Sequence, residues 1–317
     1  MSEQLDVDVR AVSEADLDDA DRIFRVAFGT FLGEEEPERF FGDADYVRTR
    51  WRTDRRSGLA AVVDGVVVGS NFVTDWGSVG FFGPLTVEPP LWNSGVAKRL
   101  LESTMERFAT LGTSHAGLFT FAQSAKHVGL YQRFGFWPRY LTAIMSRPVG
   151  PASGGERGTR LSELAGDERA SALAGARELT DRLYEGLDLT REIEGVLDQG
   201  LGDVVLLDDP SGVGALAVCH AGAGTEAGGN CCYVKFAGVR PGPDARRTFE
   251  RLLAACDRLA TERKAGVLVA GANAERDGAW AVLAGLGFRW DGQGVAMHRP
   301  NDGGYNRSDA YIIDDWR

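Results

Sequence analysis

The sequence lacks the features that mark membrane proteins, disulfide-stapled domains and metalloproteins. No run reaches the 18 apolar residues of a transmembrane helix, and the acidic start Met1-Ser-Glu-Gln-Leu-Asp differs from a signal peptide. The 317 residues include only four cysteines and four histidines, and no CxxC pair occurs. We therefore expect a cytoplasmic protein with no membrane contact, reduced cysteines and no metal site.

Positive charge is also scarce. Thirty-five basic residues against 46 acidic residues give a net charge of −11, which provides little attraction for nucleic acid or an anionic membrane. Neither an HExxH motif nor a Gly-x-Ser-x-Gly motif occurs, so the sequence does not indicate a zinc hydrolase or a serine nucleophile. Cationic or neutral small molecules are the more favourable partners.

The length predicts two domains, since single domains average about 150 residues. A stretch rich in Gly, Pro and Ser follows Pro148 and indicates a linker. We predict an N-terminal domain over residues 1–148, a linker over 149–158 and a C-terminal domain over 159–299. The remaining residues, 300–317, contain a Tyr311-Ile-Ile run that is too apolar for a frayed tail, and we expect them to pack on the domains.

The first half predicts an α+β fold, with a mixed, mostly antiparallel sheet flanked by helices. Two apolar runs flank Asp64-Gly65, a strong hairpin signal. After the hairpin, the pattern predicts a buried strand, an amphipathic helix, a strand, a second helix and a last strand. These elements span 80–87, 95–111, 116–121, 125–134 and 138–146.

The second half resembles a shifted copy of the first. Leu100-Leu101 and Phe136 of the first half match Leu252-Leu253 and Phe288 of the second, each 152 residues later. The same offset at landmarks in the same order predicts an internal duplication. We therefore expect two domains of the same fold class.

Two segments of the first half carry recognisable chemistry. The first is the loop that precedes the predicted helix, where Gly95 and Ala97 would let a ligand approach the backbone. Free amides at a helix N-terminus suit a pyrophosphate, although a tight turn with close helix packing has the same pattern. The second is Leu130-Tyr131-Gln-Arg-Phe-Gly135-Phe136.

Taken together, the two segments resemble the GNAT superfamily of acyl-CoA-dependent N-acyltransferases. That family has Gln/Arg-x-x-Gly-x-Gly/Ala after its fourth strand and a later Leu-Tyr-x-x-x-Gly-Phe run. The resemblance covers roughly residues 5 to 147. It departs at Trp92, where the family has Gln or Arg, and at Ser124, where an Asn often contacts the cofactor.

The resemblance implies an acetyl-CoA-dependent N-acetyltransferase that acts directly on an amine of a small molecule or peptide and releases coenzyme A. By resemblance, a strand edge would bind the pantetheine arm, loop amides would hold the pyrophosphate, and Ser124 would contact the cofactor. Tyr131 would protonate the leaving thiolate, unless its ring only packs between helix and sheet. The strand edge is Leu85, Thr86 and Val87, and the loop is Trp92, Asn93, Ser94, Gly95, Val96 and Ala97.

The general base and the acceptor stay open at this stage. His127, His115 and Glu88 are candidate bases, and each also has an ordinary structural interpretation. The acidic run Glu34-Glu-Glu-Pro-Glu would form a rim that favours a cationic amine, or it is a solvated loop.

The second copy has lost the motif residues. At an offset of 152, Arg247 and Phe249 replace Gly95 and Ala97, and Leu283 replaces Tyr131. We expect this degenerate copy not to bind acyl-CoA, because bulk blocks the approach to the backbone. The alternatives to an acetyltransferase are a non-catalytic acyl-CoA sensor or scaffold and a tandem-GNAT aminoacyl transferase using charged tRNA, which the negative charge disfavours. The chain would be a monomer or a homodimer.

Overall fold

The computed structural model describes residues 5–150 and 157–317, so most of the expected linker and the first four residues lie outside the described part. None of the described helices is both long and apolar enough to cross a membrane. The strands are β1 Asp8–Ala11, β2 Gly58–Val63, β3 Val66–Trp76, β4 Val79–Phe82, β5 Thr86–Val87, β6 His115–Thr120, β7 Trp137–Pro148, β8 Thr159–Arg160, β9 Gly202–Asp209, β10 Gly212–Gly222, β11 Gly228–Val239, β12 Val267–Asn273, β13 Arg289–Arg299 and β14 Ile312–Ile313. The helices are α1 Leu17–Leu32, α2 Val47–Thr53, α3 Val96–Leu111, α4 Ala125–Gln132, α5 Gly166–Leu183, α6 Thr190–Asp198, α7 Ala245–Glu262 and α8 Asp277–Gly285.

Local sequence signals explain most elements of the first half. Asp64 and Gly65 both have positive φ, 50° and 80°, as the predicted hairpin turn between β2 and β3 requires. Helix α3 buries Leu100 and Leu101 completely. The strand predicted over 80–87 is instead two strands, β4 and β5, because the chain bends at Gly83-Pro84 between them. Both strands pair with β3.

The predicted α+β class is confirmed, but the sheets of the two halves form one continuous sheet. Its order is β1-β2-β3-β4-β6-β13-β7-β12-β11-β10-β9-β8, with β5 on β3 and β14 on β11. The β4–β6 and β11–β12 pairs are parallel. The four cysteines are free thiols, and three of them are buried.

The two halves exchange their last long strands at the centre of this sheet. Strand β13 of the second half lies between β6 and β7 of the first half. Strand β7 of the first half in turn pairs with β12 of the second half. Neither half therefore completes its sheet without a strand from the other.

The strand registers repeat at the same offset as the sequence landmarks. Val79 pairs with His115 in the first half, and Cys231 pairs with Val267 in the second, so both partners shift by 152 positions. Helices α4 and α8 begin at Ala125 and Asp277, again 152 residues apart. The halves are thus arranged about an approximate twofold axis between β7 and β13.

A gap in the sheet beside β5 distinguishes the first half. Strand β6 pairs with β4 as far as Phe81 and Gly117 and then diverges from β5. In the second half the corresponding position on β11 is filled, because Ala237 pairs with Ile313 and Gly238 with Ile312 of β14. The tail of the chain thus occupies the second gap and leaves the first one open.

Candidate active site

A cavity of about 1100 Å³ lies in the open gap between β5 and β6. Its lining comes from α1, the segment after α1, β5, the start of α3, the end of β6 and α4. Trp316 and Arg317 of the tail complete the wall. Most of the site residues expected from the sequence line this cavity: Leu85, Thr86, Val87, Trp92, Asn93, Gly95, Val96, Ala97 and Tyr131.

The β5 edge offers main-chain groups to the cavity. Glu88 N–H donates to Val68 O at 2.9 Å, and peptide groups alternate along a strand, so the polar groups of Val87 point away from β3. The Trp92 indole N–H donates to Val87 O at 2.8 Å, so this carbonyl already has a partner. The free main-chain groups of this edge suit an extended ligand arm that pairs like an added strand.

The start of α3 forms the second part of the cavity. Asn93 and Gly95 adopt positive φ, 70° and 98°, which turns the chain into the helix and leaves its first amides without helical acceptors. Lys98, Lys126 and Arg133 also line the cavity, and the Lys126 ammonium lies 5.5 Å from the centroid of the Trp92 ring. Free amides and cations together suit the phosphates of a nucleotide cofactor.

Two expected cofactor contacts, Ser94 and Ser124, do not line the cavity. The Ser94 hydroxyl donates to Leu91 O at 2.6 Å and stabilises the turn before α3. Ser124 is the N-cap of α4 and accepts from His127 N–H at 3.4 Å. Both side chains thus serve the local backbone.

Tyr131 lies on α4 with its ring buried against Phe82, at a centroid distance of 5.7 Å. Burial raises the pKa of its phenol to about 12, with a smaller opposing effect from the Thr120 side chain. The phenol therefore keeps its proton throughout the physiological range. It can act as a proton donor but not as a base.

His127 lies one helical turn before Tyr131 and also lines the cavity. Its ring is 4.9 Å from the Phe31 ring, and its Nδ1 is buried without a hydrogen-bond partner among the described residues. Burial, and secondarily Lys126, lowers its pKa, so the imidazole is neutral at pH 7 and can accept a proton. The other candidates are engaged elsewhere: Glu88 pairs with Arg22 at 2.6 Å, and His115 bonds His298 at 2.9 Å.

An aromatic wall, which sequence reasoning missed, forms a large part of the cavity lining. We define it as Phe24, Phe28, Phe31, Phe40, Phe41, Tyr46 and Phe121. Neighbouring rings of the wall are in contact, with centroid distances of 4.8 Å for Phe31 and Phe121 and 5.9 Å for Phe28 and Phe40. The available signal was five phenylalanines between positions 24 and 41, three of them at helical spacing. That spacing equally fits a helix packed in the core.

A buried ionic cluster connects the cavity to the second half. Arg50 of α2 donates to Gly83 O at 2.6 Å, at the bend between β4 and β5, and also to Arg317 O. Glu226 of the second half accepts two bonds from this guanidinium, each 3.0 Å long, and one from Lys235 at 2.7 Å. The second half thereby contacts the backbone where the gap between β5 and β6 opens.

In the second half, the position that corresponds to this site is filled by buried side chains. Phe249 and Leu283 are completely buried, and the Phe249 ring lies 5.5 Å from that of Tyr311. Strand β14 covers the β11 edge, as described above. Among the described residues, no group of three or more His, Cys, Asp or Glu side chains could hold a metal ion.

Comparison with known proteins identifies the class of this fold and site. Residues 18–136 match the model of the acetyltransferase (GNAT) family. The N-terminal half therefore contains a domain of the GNAT family, as the resemblance of its motifs implied. No match is found among curated proteins.

Solved structures share the fold of the whole chain at low identity. A Pyrococcus horikoshii protein, whose acetyltransferase assignment is provisional, has a TM-score of 0.67 and 14% identity, over 98% of this chain and 95% of that one. A GCN5-related N-acetyltransferase from Sphaerobacter thermophilus has a TM-score of 0.57 and 16% identity, over 92% and 95%. A glucosamine N-acetyltransferase region of a fungal multi-domain enzyme has a TM-score of 0.64 and 15% identity, over 94% of this chain and 38% of that one.

Proposed function

We propose that the protein is an acetyl-CoA-dependent N-acetyltransferase whose reaction takes place in the cavity of the N-terminal half. The observation that carries this proposal is the combination within one cavity of a free strand edge, a helix N-terminus flanked by cations and a buried protonated tyrosine. A binding module without turnover needs the first two features, whereas the third can supply the proton that a leaving thiolate requires.

The donor fits the polar end of the cavity. The edge at Leu85 and Val87 would pair with the amides of the pantetheine arm, and the first amides of α3 would hold the pyrophosphate. Lys98, Lys126 and Arg133 would balance the phosphate charges. When bound, acetyl-CoA supplies a thioester: the amine nitrogen bonds to the acetyl carbon, the C–S bond breaks and its electron pair stays on sulfur.

Two protons must move in this reaction. Tyr131 would donate its phenolic proton to the departing sulfur, and burial would also raise the pKa of the thiol, which favours transfer of the proton to the thiolate. His127 would accept the proton that the amine nitrogen loses, since its imidazole is neutral and faces the cavity.

We further propose one acyl-CoA site per chain, with the second half as a degenerate copy that supports the first. Strand β14 covers the edge of β11, and Phe249 fills the position of Ala97, which supports this view. We also propose that the protein is cytoplasmic and that its acceptor is an amine of a small molecule or peptide.

Calorimetric titration of acetyl-CoA into three proteins tests the donor site: wild type, Gly95→Glu and Gly112→Glu. The two glycines lie at opposite ends of α3, have positive φ of 98° and 73°, and have open space beside them, so their backbone strain is comparable. A carboxylate about 4 Å from a phosphate costs about 4 kcal/mol at an effective dielectric constant near 20.

We expect one site per chain in the wild type, at least about 100-fold weaker binding in Gly95→Glu and wild-type binding in Gly112→Glu. Two sites per chain would contradict the assignment of the second half. A wild type that does not bind acetyl-CoA would contradict the acetyltransferase proposal itself.

A further inference from the structure

We infer that the acceptor is an aromatic amine whose amino group is attached directly to the ring and is therefore uncharged at neutral pH. This inference rests on the proposed function and specifies the substrate class of the same cavity. It is carried by two independent observations, the aromatic wall and the scarcity of carboxylates around it.

The aromatic wall offers a surface for a flat, apolar ring. The Phe24 and Phe41 rings are stacked within 9° of parallel, and the Phe28 and Phe40 rings within 6°. Phe41 is 44% exposed although it is a large apolar side chain, so part of the surface of this wall is not covered by the described residues. An aromatic ligand would gain both apolar burial and ring contacts there.

The charges around the cavity disfavour an ammonium group. Among the described residues, Glu102 is the one side-chain carboxylate in the lining, and it already pairs with Lys98 and Arg99 at 3.5 and 2.9 Å. The acidic run expected to form a rim does not line the cavity: Glu36 pairs with Arg39 at 2.8 Å, and the other three carboxylates of the run, Glu34, Glu35 and Glu38, are exposed. A buried cation without a carboxylate partner is costly.

An amino group attached to an aromatic ring avoids this cost. Its lone pair is delocalised into the ring, so the nitrogen carries no charge at neutral pH and needs no base before it attacks. The cavity then has to accept one proton, after the N–C bond forms, and neutral His127 lies beside Phe31 and Phe121 of the wall to receive it. An alkylamine such as a lysine side chain, with a pKa near 10.4, would have to lose a proton first.

Thiol release from acetyl-CoA, measured with aniline and with cyclohexylamine, tests the inference. Both amines have one six-membered ring, but only cyclohexylamine is a cation at pH 7. We expect the kcat/KM of aniline to exceed that of cyclohexylamine at least about tenfold in the wild type. Phe31→Glu, which places a carboxylate in the wall, should reduce this ratio at least about threefold, whereas Leu286→Glu, at a position 39% exposed outside the cavity, should leave it unchanged.

Acetyl-CoA calorimetry on the same samples distinguishes a failure of the proposed function from a failure of the acceptor inference alone. If acetyl-CoA does not bind, the proposed function and this inference both fail. If it binds and cyclohexylamine reacts as fast as aniline, or aniline gives no thiol release above the background with water, the acceptor inference alone is overturned. Hexanoyl-CoA binding at least tenfold more tightly than acetyl-CoA, with no reaction of aniline, would assign the wall to the acyl chain and would also overturn it.

Discussion

At the residue scale, the role of Tyr131 separates an enzyme from a sensor. The phenol is buried beside Phe82 in the cavity wall, and removing its hydroxyl leaves the shape of the wall intact. We expect Tyr131→Phe to lower kcat by about 10² to 10⁴, the usual contribution of a general acid, with the Kd of acetyl-CoA changed less than about threefold. Thiol release and calorimetry measure the two effects.

The matched control for this variant is Tyr311→Phe, in the tail outside the cavity, which should keep wild-type kcat. Equal kcat in Tyr131→Phe and the wild type would mean that the proton reaches sulfur by another route. Weakened acetyl-CoA binding with unchanged kcat would leave Tyr131 only a packing role.

Gly117 occupies a position where there is no room for a side chain. It lies on β6, and a Cβ atom there would overlap the Trp316 ring that forms part of the cavity wall. We expect Gly117→Ala to lower the free energy of unfolding by about 1–3 kcal/mol through overpacking. Gly285→Ala, in open space at the end of α8, should be neutral or stabilising by less than about 1 kcal/mol. Urea titration compares the two, and equal stabilities would contradict the packing argument.

At the element scale, local patterns predicted the elements and missed how they pair. The Asp64-Gly65 turn and the apolar face of α3 are local signals, and both gave correct elements. The break between β4 and β5 was missed although Gly83-Pro84 is a local turn signal, because apolar residues continue on both sides of it. The aromatic wall was missed because the Phe24, Phe28 and Phe31 spacing fits a core-facing helix.

Strand β14 is a short element with a specific structural role, the filling of the second gap. Ile313 is completely buried and pairs with Ala237. We expect Ile313→Ala to lower the free energy of unfolding by about 2–5 kcal/mol and to raise the KM of the amine acceptor, because Trp316 of the cavity wall lies three residues further on. Denaturant unfolding and steady-state kinetics measure these effects.

Leu286→Ala serves as the control for β14, since Leu286 is 39% exposed and should lose less than about 1 kcal/mol. A loss in Ile313→Ala as small as in this control would show that the tail is dispensable for the second half.

At the scale of the whole molecule, the halves depend on each other in a way that the sequence alone could not reveal. The offset of 152 predicts two similar sheets, but a repeat is equally compatible with each half keeping its own last strand. The exchange of β7 and β13 depends on long-range pairing, which leaves no local signature. The Arg50–Glu226 ion pair likewise joins residues 176 positions apart, and neither appears unusual in its own segment.

The exchanged strand β13 meets β6 at a buried histidine pair, which makes the junction between the halves sensitive to acid. His115 of β6 and His298 of β13 are bonded at 2.9 Å. Burial, followed by the effects of His115, Arg276 and Arg139, lowers the pKa of His298 to about 2. Burial also lowers that of His115, against the opposing effect of Asp302. His298 is therefore neutral in the folded protein near pH 6, and His115 takes up a proton less readily than in the unfolded chain, where the pKa of histidine is near 6.5.

Because the unfolded state binds more protons, the stabilisation is complete above about pH 7 and decreases as the pH falls through 6.5. We expect the free energy of unfolding, from urea titrations, to decrease by about 1–3 kcal/mol per pH unit between about pH 6 and pH 5. The carboxylates with lowered pKa, such as Glu192 at about 2, lose their stabilisation as the pH falls from about 5 towards that lowered pKa, so they contribute little between pH 6 and pH 5. Glutamine does not titrate, so His298→Gln should take up about one proton fewer on unfolding. The slope of its unfolding free energy against pH should be correspondingly smaller. An unchanged slope in His298→Gln would assign the acid sensitivity to groups outside this histidine pair.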